Sequence, residues 1–486
     1  SIFYGGSGGI SNNTAAEANV TINGSSRSYF GQRMAMGDVN VDGYDDLIVG
    51  AYGKNLSGGA LDWTGQVNIF FGSASGITSM TANEANITIN GTTAEDYFGI
   101  EFMWDDTNND TYKDLIVSAS GENISGGAVD YTGQIYIFLG SEGGLQSCVS
   151  SQANITINGT SPGYMGRLAL DDFNNDGYKD LAAGAYGKNI SYGITDWTGQ
   201  VYIFYGGSGG LQSTTAAQAN ITINGTSPGY FGDIFKAADI NLDGYKDLIV
   251  AADGINLSGG NLDNTGQVYI FYGSVGGLHS GTAADANVTF NGTSPSLFGA
   301  KLLVDYINND SYPDIIVGAR MKNLSGGAAD RTGQVHVFYG SSGGMHSYTA
   351  ADANITINGT AVGRDFGSSI IMANIFNYGT NDLIVGSIGG ALGTYTGRTH
   401  IFSLNLAPTL SSVPNQSWNE DTSITINLSQ YITDVNNDNP NITWTTPADV
   451  SVSVDEVTNV VTLTPSANWR GTEYIVFYAN DTYNGL

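Results

Sequence analysis

The stretch Asp38-Val39-Asn40-Val41-Asp42-Gly43-Tyr44-Asp45-Asp46-Leu47-Ile48-Val49-Gly50-Ala51 joins two signals. Its acidic part sets side-chain oxygens at alternate positions, Asp38, Asn40 and Asp42, and again at Asp46, with Gly43 available for a sharp turn. Its apolar part, Leu47-Ile48-Val49-Gly50-Ala51, is a continuous run of strand length, which suits a strand covered on both faces. An acidic loop feeding a buried strand is the unit that the rest of the chain copies.

Ahead of each copy stands an aromatic-Gly pair or a near equivalent: Phe30-Gly31, Phe98-Gly99, Met165-Gly166, Phe231-Gly232, Phe298-Gly299 and Phe366-Gly367. Their spacings are 68, 67, 66, 67 and 68 residues, the mark of a repeat architecture. Each unit reads as four strands. The first runs from the Phe-Gly pair to the acidic loop, and the second is the apolar run. A Gly-rich loop ending in Thr-Gly-Gln leads to a third, such as Gln200-Val201-Tyr202-Ile203-Phe204. A fourth, mostly Asn-Ile-Thr-Ile-Asn-Gly, alternates polar and branched residues and reads as an outer edge. Repetition without helical periodicity predicts an all-β fold: a β-propeller of four-stranded blades, followed by a C-terminal β-sandwich. A stacked β-solenoid would have shorter coils. The expected domains are residues 1–404 and 405–486.

The chain opens on a third strand, Ile2-Phe3-Tyr4-Gly5, and a fourth, Asn19 to Asn23, and its last repeat ends on a third, Arg398 to Phe402. A missing upstream half-repeat would make seven blades. Alternatively, residues 19–23 close a ring of six. The chain therefore reads as cut at both ends, with no signal peptide in Ser1-Ile2-Phe3-Tyr4.

Sixty-eight glycines, nine prolines and 28 tyrosines in 486 residues fit short strands and tight turns. Forty-five acidic against 16 basic residues give a net charge of -29, with no basic cluster for nucleic acid or an anionic bilayer. Cys148 is the single cysteine, so no intramolecular disulfide can form, and it reads as an idle thiol. Apolar runs fall far short of the roughly 18 residues that a membrane span needs.

Calcium takes six to eight oxygen ligands, which a tightly curled acidic loop can deliver. Asp38, Asn40, Asp42, the Tyr44 carbonyl and Asp46 make one such set. Asp172, Asn174, Asp176, Tyr178 and Asp180 make another, and Asp239, Asn241, Asp243, Tyr245 and Asp247 a third. Asp106, Asn108, Asp110, Tyr112 and Asp114 keep every ligand, but Thr111 replaces the glycine, so binding with strain is expected. The fifth repeat retains Asn308, Asp310 and Asp314 as a weaker set, with Tyr306 in first place and Asp305 out of register. The sixth, Asn374, Phe376, Tyr378 and Asp382, is expected to hold no ion. Asp, Asn and Gly also make good turns, but four loops of intact spacing favour about four structural Ca2+ sites.

The Phe-Gly pairs, the Asp-x-Asn-x-Asp-Gly-x-x-Asp loops and the Leu-Ile-Val-Gly-Ala strand resemble the FG-GAP repeat family over residues 1–404. That family forms the seven-bladed propeller of integrin α chains and of many bacterial and archaeal surface proteins. The resemblance implies calcium in the loops on one face and a role in adhesion or cell-surface architecture, here of a prokaryotic, archaeal type. The tail, with Asn419-Glu420-Asp421-Thr422, Asp434-Val435-Asn436-Asn437-Asp438 and Ala467-Asn468-Trp469-Arg470-Gly471, resembles cadherin-like, immunoglobulin-type modules of prokaryotic surface proteins. That resemblance implies calcium shared by Glu420, Asp434, Asn436, Asp438 and Asp481 at a domain junction. An ordinary solvated loop accounts for the same residues.

Asn-x-Ser/Thr recurs with the repeats. One series, Asn55, Asn123, Asn189, Asn256 and Asn323, falls in the loop after the second strand. Two flank the outer strand: Asn19, Asn86, Asn154, Asn220, Asn287 and Asn354, then Asn23, Asn90, Asn158, Asn224, Asn291 and Asn358. Asn415, Asn427 and Asn441 add three in the tail. N-linked glycans are expected at these positions, solubilising the rim and blocking edge pairing. Polar filler on an exposed face is the alternative. Asn109 and Asn309 lie inside metal loops and are expected bare.

His279, His336, His346 and His400 pair with no repeated Ser or Cys, so no nucleophile with its base is indicated. Asp62, Asp130, Asp196, Asp263 and Asp330 precede Thr-Gly turns and read as turn residues. The sequence therefore predicts a non-enzymatic, extracellular cell-surface protein, a subunit of a surface layer or filament whose partners are copies of itself or other surface proteins. A monomeric adhesin for a glycan or protein ligand, and a propeller hydrolase or lyase, are the competing readings.

Overall fold

A computed structural model describes the whole chain except residues 4–14, 26, 57–61, 125–130, 191–196, 258–263, 309, 325–329, 376–380, 390–396, 403–407, 434–439 and 481–486. It is all-β with one-turn 3-10 helices. Six sheets follow one another, each running first strand, second, third and fourth by antiparallel neighbours where all four are present.

In the first blade these strands are Met34–Gly37, Asp46–Gly50, Gln66–Phe70 and Ile87–Asn90. Asp46–Gly50 is buried along its whole length, as its unbroken apolar run requires. Apolar side chains from facing blades interlock. Ile48, Val67 and Ile69 of the first blade pack with Phe98, Phe102, Leu115 and Val117 of the second, and equivalent clusters join each later pair.

The glycines of the repeated Thr-Gly and Phe-Gly pairs meet at these interfaces. Gly65 of Thr-Gly-Gln has φ +85°, and a Cβ there would fall 2.2 Å from the Phe98 carbonyl oxygen in the next Phe-Gly pair. Gly133, Gly199, Gly266 and Gly333 stand against Met165, Phe231, Phe298 and Phe366 in the same way. The repeat signature is thus the contact between consecutive blades.

The outer edge differs from its expected form. Cys148–Val149 of the second repeat pairs in parallel with Ile87–Asn90 of the first blade, giving it a fifth strand. Thr214–Thr215, Gly281–Thr282 and Tyr348–Thr349 cover the preceding blades alike, and Met80–Thr81 covers Ile22–Asn23. Four strands were expected because a two-residue strap carries no periodicity. On these four blades protein backbone thus covers two residues of the outer strand, and the fifth blade has no strap among the described residues.

Ile2 bridges Val20, and Val20 and Ile22 pack with Leu47, Val49 and Phe70 on the first blade. Residues 22 and 23 pair with Met80–Thr81, and among the described residues none of 19–23 pairs with Arg398–Phe402, so they are not seen to complete the sixth blade. Among the described residues three small antiparallel C-terminal sheets follow, with Ile426, Leu428, Ile442, Val450, Val461 and Leu463 in their core. No helix among the described residues is long and apolar enough to cross a membrane.

Candidate metal loops

Each acidic loop joins a blade's first and second strands, so all lie at the same end of their blades. In the first, the Asp42 N–H donates to Asp38 Oδ1 at 2.9 Å and to Asn40 Oδ1 at 3.1 Å. Gly43 N–H donates to Asp38 Oδ2 at 2.8 Å, and Tyr44 N–H to Asp42 Oδ1 at 2.9 Å. The loops at Asp106, Asp172 and Asp239 repeat these bonds one for one.

This curl needs two left-handed residues. Val41, Asn109, Asn175 and Leu242 take φ of 58 to 61°, and Gly43, Gly177 and Gly244 take 87 to 89°. Thr111 is forced to φ 80°, the strain expected from its sequence.

A carboxylate has about four acceptor directions, so these N–H bonds orient the oxygens and leave others open. Asp38, Asn40 and Asp42, with the Tyr44 carbonyl, fit a hard cation such as Ca2+. Among the described residues, no three Asp, Glu, His or Cys side chains already converge as a cage. The ion would close each set from Asp, Asn and carbonyl oxygens together.

Asp46 has a second task that the sequence did not reveal. It is fully buried, its Oδ2 accepting from Val39 N–H at 2.9 Å and Asn40 N–H at 3.3 Å, and its Oδ1 from Gly72 N–H at 2.7 Å. Burial nonetheless pushes its pKa up. Asp114, Asp180, Asp247 and Asp314 likewise accept from the backbone N–H seven residues before and from the glycine after the third strand, and Asp382 accepts from Ile375 N–H. In the fifth repeat Asp305 caps Tyr306 N–H, and the first-ligand bonds of the other loops have no equivalent among the described residues. The ninth-position Asp therefore fastens the loop to the third strand even where the metal set is incomplete. Phe376 and Tyr378 of the sixth loop lie outside the described residues.

Adjacent loops also touch. Asn109 Nδ2 donates to the Gly177 carbonyl, and Lys179 and Lys246 reach Asp105 and Asp171 of the preceding blades at 3.6 and 3.3 Å. Lysine at that loop position was the available signal.

Glu420 is held by both guanidinium arms of Arg470, at 2.6 and 2.8 Å. Asp434, Asn436, Asp438 and Asp481 lie outside the described residues.

The three Asn series have separate surroundings. Asn86, Asn154, Asn220, Asn287 and Asn354 are exposed, and each Oδ1 accepts a backbone N–H from the end of the third strand at 2.8 to 2.9 Å. Asn90, Asn158, Asn224 and Asn291 are half-buried, and with Asn358 they accept from the Gln of each Thr-Gly-Gln. Asn55 and its equivalents are half-buried, Asn19, Asn23, Asn415, Asn427 and Asn441 exposed.

Asp62 and Asp330 accept from Thr64 and Thr332 N–H, the turn role expected of them; Asp130, Asp196 and Asp263 lie outside the described residues. His336 is buried among Phe298 and Phe338, which pushes its pKa down to about 4. His400 Nε2 does meet a serine, Ser387 Oγ at 3.4 Å, across neighbouring strands, which linear spacing concealed.

Residues 30–69 and 166–204 match the family model for the FG-GAP repeat. The chain is 33% identical over 175 residues to the phosphatidylinositol-glycan-specific phospholipase D of Bos taurus, covering 35% of this chain and 20% of that protein. It is 31% identical over 238 residues to integrin alpha-V of Gallus gallus, 47% of this chain and 20% of that one. Human integrin alpha-IIb is 34% identical over 166 residues, 33% and 15% of the two chains. The alignments thus span a quarter or less of each relative's length.

Proposed function

Since the chain is an FG-GAP repeat protein related to integrin α chains and to phosphatidylinositol-glycan-specific phospholipase D, we propose that it is a calcium-binding, N-glycosylated extracellular surface protein. Its propeller serves as a rigid subunit of a surface layer or filament. Four acidic loops with one hydrogen-bond pattern, all at the same end of their blades, carry this reading. A site of that kind is filled where calcium is abundant, and extracellular modules work in that range. The straps over the outer edges of the first four blades and the exposed Asn86 series support a surface built to stay unpaired along its rim.

The phospholipase activity belongs to the relative, and we assign no catalysis to this chain. Buried His336 and the 2%-exposed Ser387 beside His400 favour packing roles. Electron microscopy of native material, with and without chelator, tests the proposal. Ordered arrays that loosen when calcium is removed are expected. Isolated particles insensitive to calcium would overturn it.

A further inference from the structure

The end of the propeller opposite the acidic loops carries a second organised surface. There, every interface between blades uses two left-handed residues: one before Thr-Gly and one before the Phe-Gly pair, tied by a backbone hydrogen bond such as Tyr97 N–H to the Trp63 carbonyl at 3.0 Å. Tyr29, Trp63, Tyr97, Tyr131, Tyr164, Trp197 and Tyr230 fill seven of these positions at φ of 47 to 62°. Asn264, Leu297, Arg331 and Asp365 fill the others with the same backbone, so folding does not require aromatic rings there. A bulky residue in this conformation costs about 1–2 kcal/mol, which asks for a return in function.

With Tyr52 and Tyr186, these rings form an arc over the first four blades. Tyr29 lies 4.9 Å from Tyr52 and 5.3 Å from Trp63, which meets Tyr97; Tyr164 meets Tyr131, Tyr186 and Trp197, which meets Tyr230. All nine are at least partly exposed.

The arc adjoins a charged chain on the innermost strands. Arg33 pairs with Glu101 at 2.8 Å, Glu101 with Arg167 at 3.4 Å, Arg167 with Asp233 at 2.7 Å, and Arg167 lies 5.4 Å over the Tyr186 ring. Lys301 takes the place of Arg167 in the fifth blade, opposite Gly318 as Arg167 is opposite Gly184. Arg320 is the fifth-blade counterpart of Tyr186. Among the described residues neither Lys301 nor Arg320 makes a hydrogen bond or ion pair, although both act electrostatically on buried Asp253. Asp253 lies within electrostatic reach of both, and Asp233 and Glu101 within reach of Lys301, but with no ion pair or hydrogen bond formed, the ammonium and guanidinium keep donors that an anion can take up.

We propose that this face binds a carboxylated oligosaccharide, its pyranose rings stacked on the aromatic arc and a carboxylate drawn to Lys301 and Arg320. Pyranose C–H bonds pack on the electron-rich ring faces, while tyrosine hydroxyls and indole N–H groups reach sugar hydroxyls. A cationic ligand would meet the ammonium and guanidinium instead. This binding holds whether or not the chain assembles into a layer.

Calorimetric titration of the calcium-loaded full chain with a galacturonate oligomer, a neutral glucose oligomer of equal length and polyglutamate tests it. The galacturonate oligomer is expected to bind, more weakly at high salt, and the neutral oligomer to bind at least tenfold more weakly. Trp197→Asn and Lys301→Ser, each borrowing the residue of an equivalent position (Asn264, Ser369), should each lower affinity about tenfold with an unchanged melting midpoint. No galacturonate binding, equal binding of the neutral oligomer, or unchanged affinity in both variants would overturn it. Preferential binding of polyglutamate would also overturn it, in favour of an acidic protein partner. A large drop in melting midpoint for Trp197→Asn would show that the rings serve packing alone.

Discussion

Replacing Asp314 by Asn separates the structural task of the ninth loop position from calcium, because the fifth repeat has Tyr306 where the first ligand stands elsewhere. Asp314 is fully buried and accepts Ile307 N–H at 2.7 Å, Asn308 N–H at 3.3 Å and Gly340 N–H at 2.8 Å. Hydrogen bonds to a charged group contribute about 1.5–3 kcal/mol each. An amide keeps one oxygen and turns its NH2 towards a backbone N–H, so at least one bond is lost and one donor is stranded. Against this, burial raises the Asp314 pKa, so the neutral amide recovers part of a desolvation cost. The expected net loss is about 3 kcal/mol. With a urea dependence of about 2–3 kcal/mol per M, the unfolding midpoint should fall by about 1 M. The assay is urea unfolding in excess chelator, with Asp239→Asn, which removes the charge of a first-position ligand, as the comparison. Asp239→Asn gives up one solvent-exposed N–H bond from Asp243 or Gly244, so in chelator it should lose clearly less than Asp314→Asn, and it should fall further behind the parent when calcium is added. If Asp314→Asn unfolds at the parent midpoint in chelator, the reasoning about the buried tie is wrong.

Three further outcomes follow from the same geometry. Buried Asp96 is pushed far above the carboxylate range by desolvation and by Glu122 beside it, so the folded state holds that proton more tightly than the unfolded chain. Stability should therefore fall as pH rises above the ordinary carboxylate range towards the alkaline side, and Asp96→Asn should flatten that slope in melts at several pH values. Thr111→Gly should relieve φ 80° and raise stability by about 1 kcal/mol, with tighter calcium binding at that loop by calorimetry. Peptide mass spectrometry of native protein should find glycan more completely at Asn86, Asn154, Asn220 and Asn287 than at half-buried Asn90, Asn158, Asn224 and Asn291; the reverse order would refute the burial argument.

Much of the fold was legible because its signals were local and repeated. The spacing of Phe-Gly pairs gave the blades, and Asp-x-Asn-x-Asp-Gly gave loops whose hydrogen bonds match from copy to copy. What escaped reading was long-range. The strap Cys148–Val149 is too short for periodicity, and its partner Ile89 lies far away in the chain. Asp46 looked like one more ligand, and only burial showed it reaching Gly72. The aromatic arc was hidden because Tyr29 and Tyr97 precede Phe-Gly pairs of different repeats, Trp63 precedes a Thr-Gly turn, and they meet only once blades are stacked.

The straps have a consequence for how the molecule carries load. Each of the first four blades owes its outermost strand to the repeat that follows, as Ile87–Asn90 owes Cys148–Val149. Peeling away a repeat therefore bares the flank of its predecessor, whereas removing an earlier repeat takes no strap from a later one. Damage should then travel backwards, from late repeats towards early ones. A pull on the C-terminal side would unravel the stack stepwise, and the same pull on the early side would be resisted by edges still fastened.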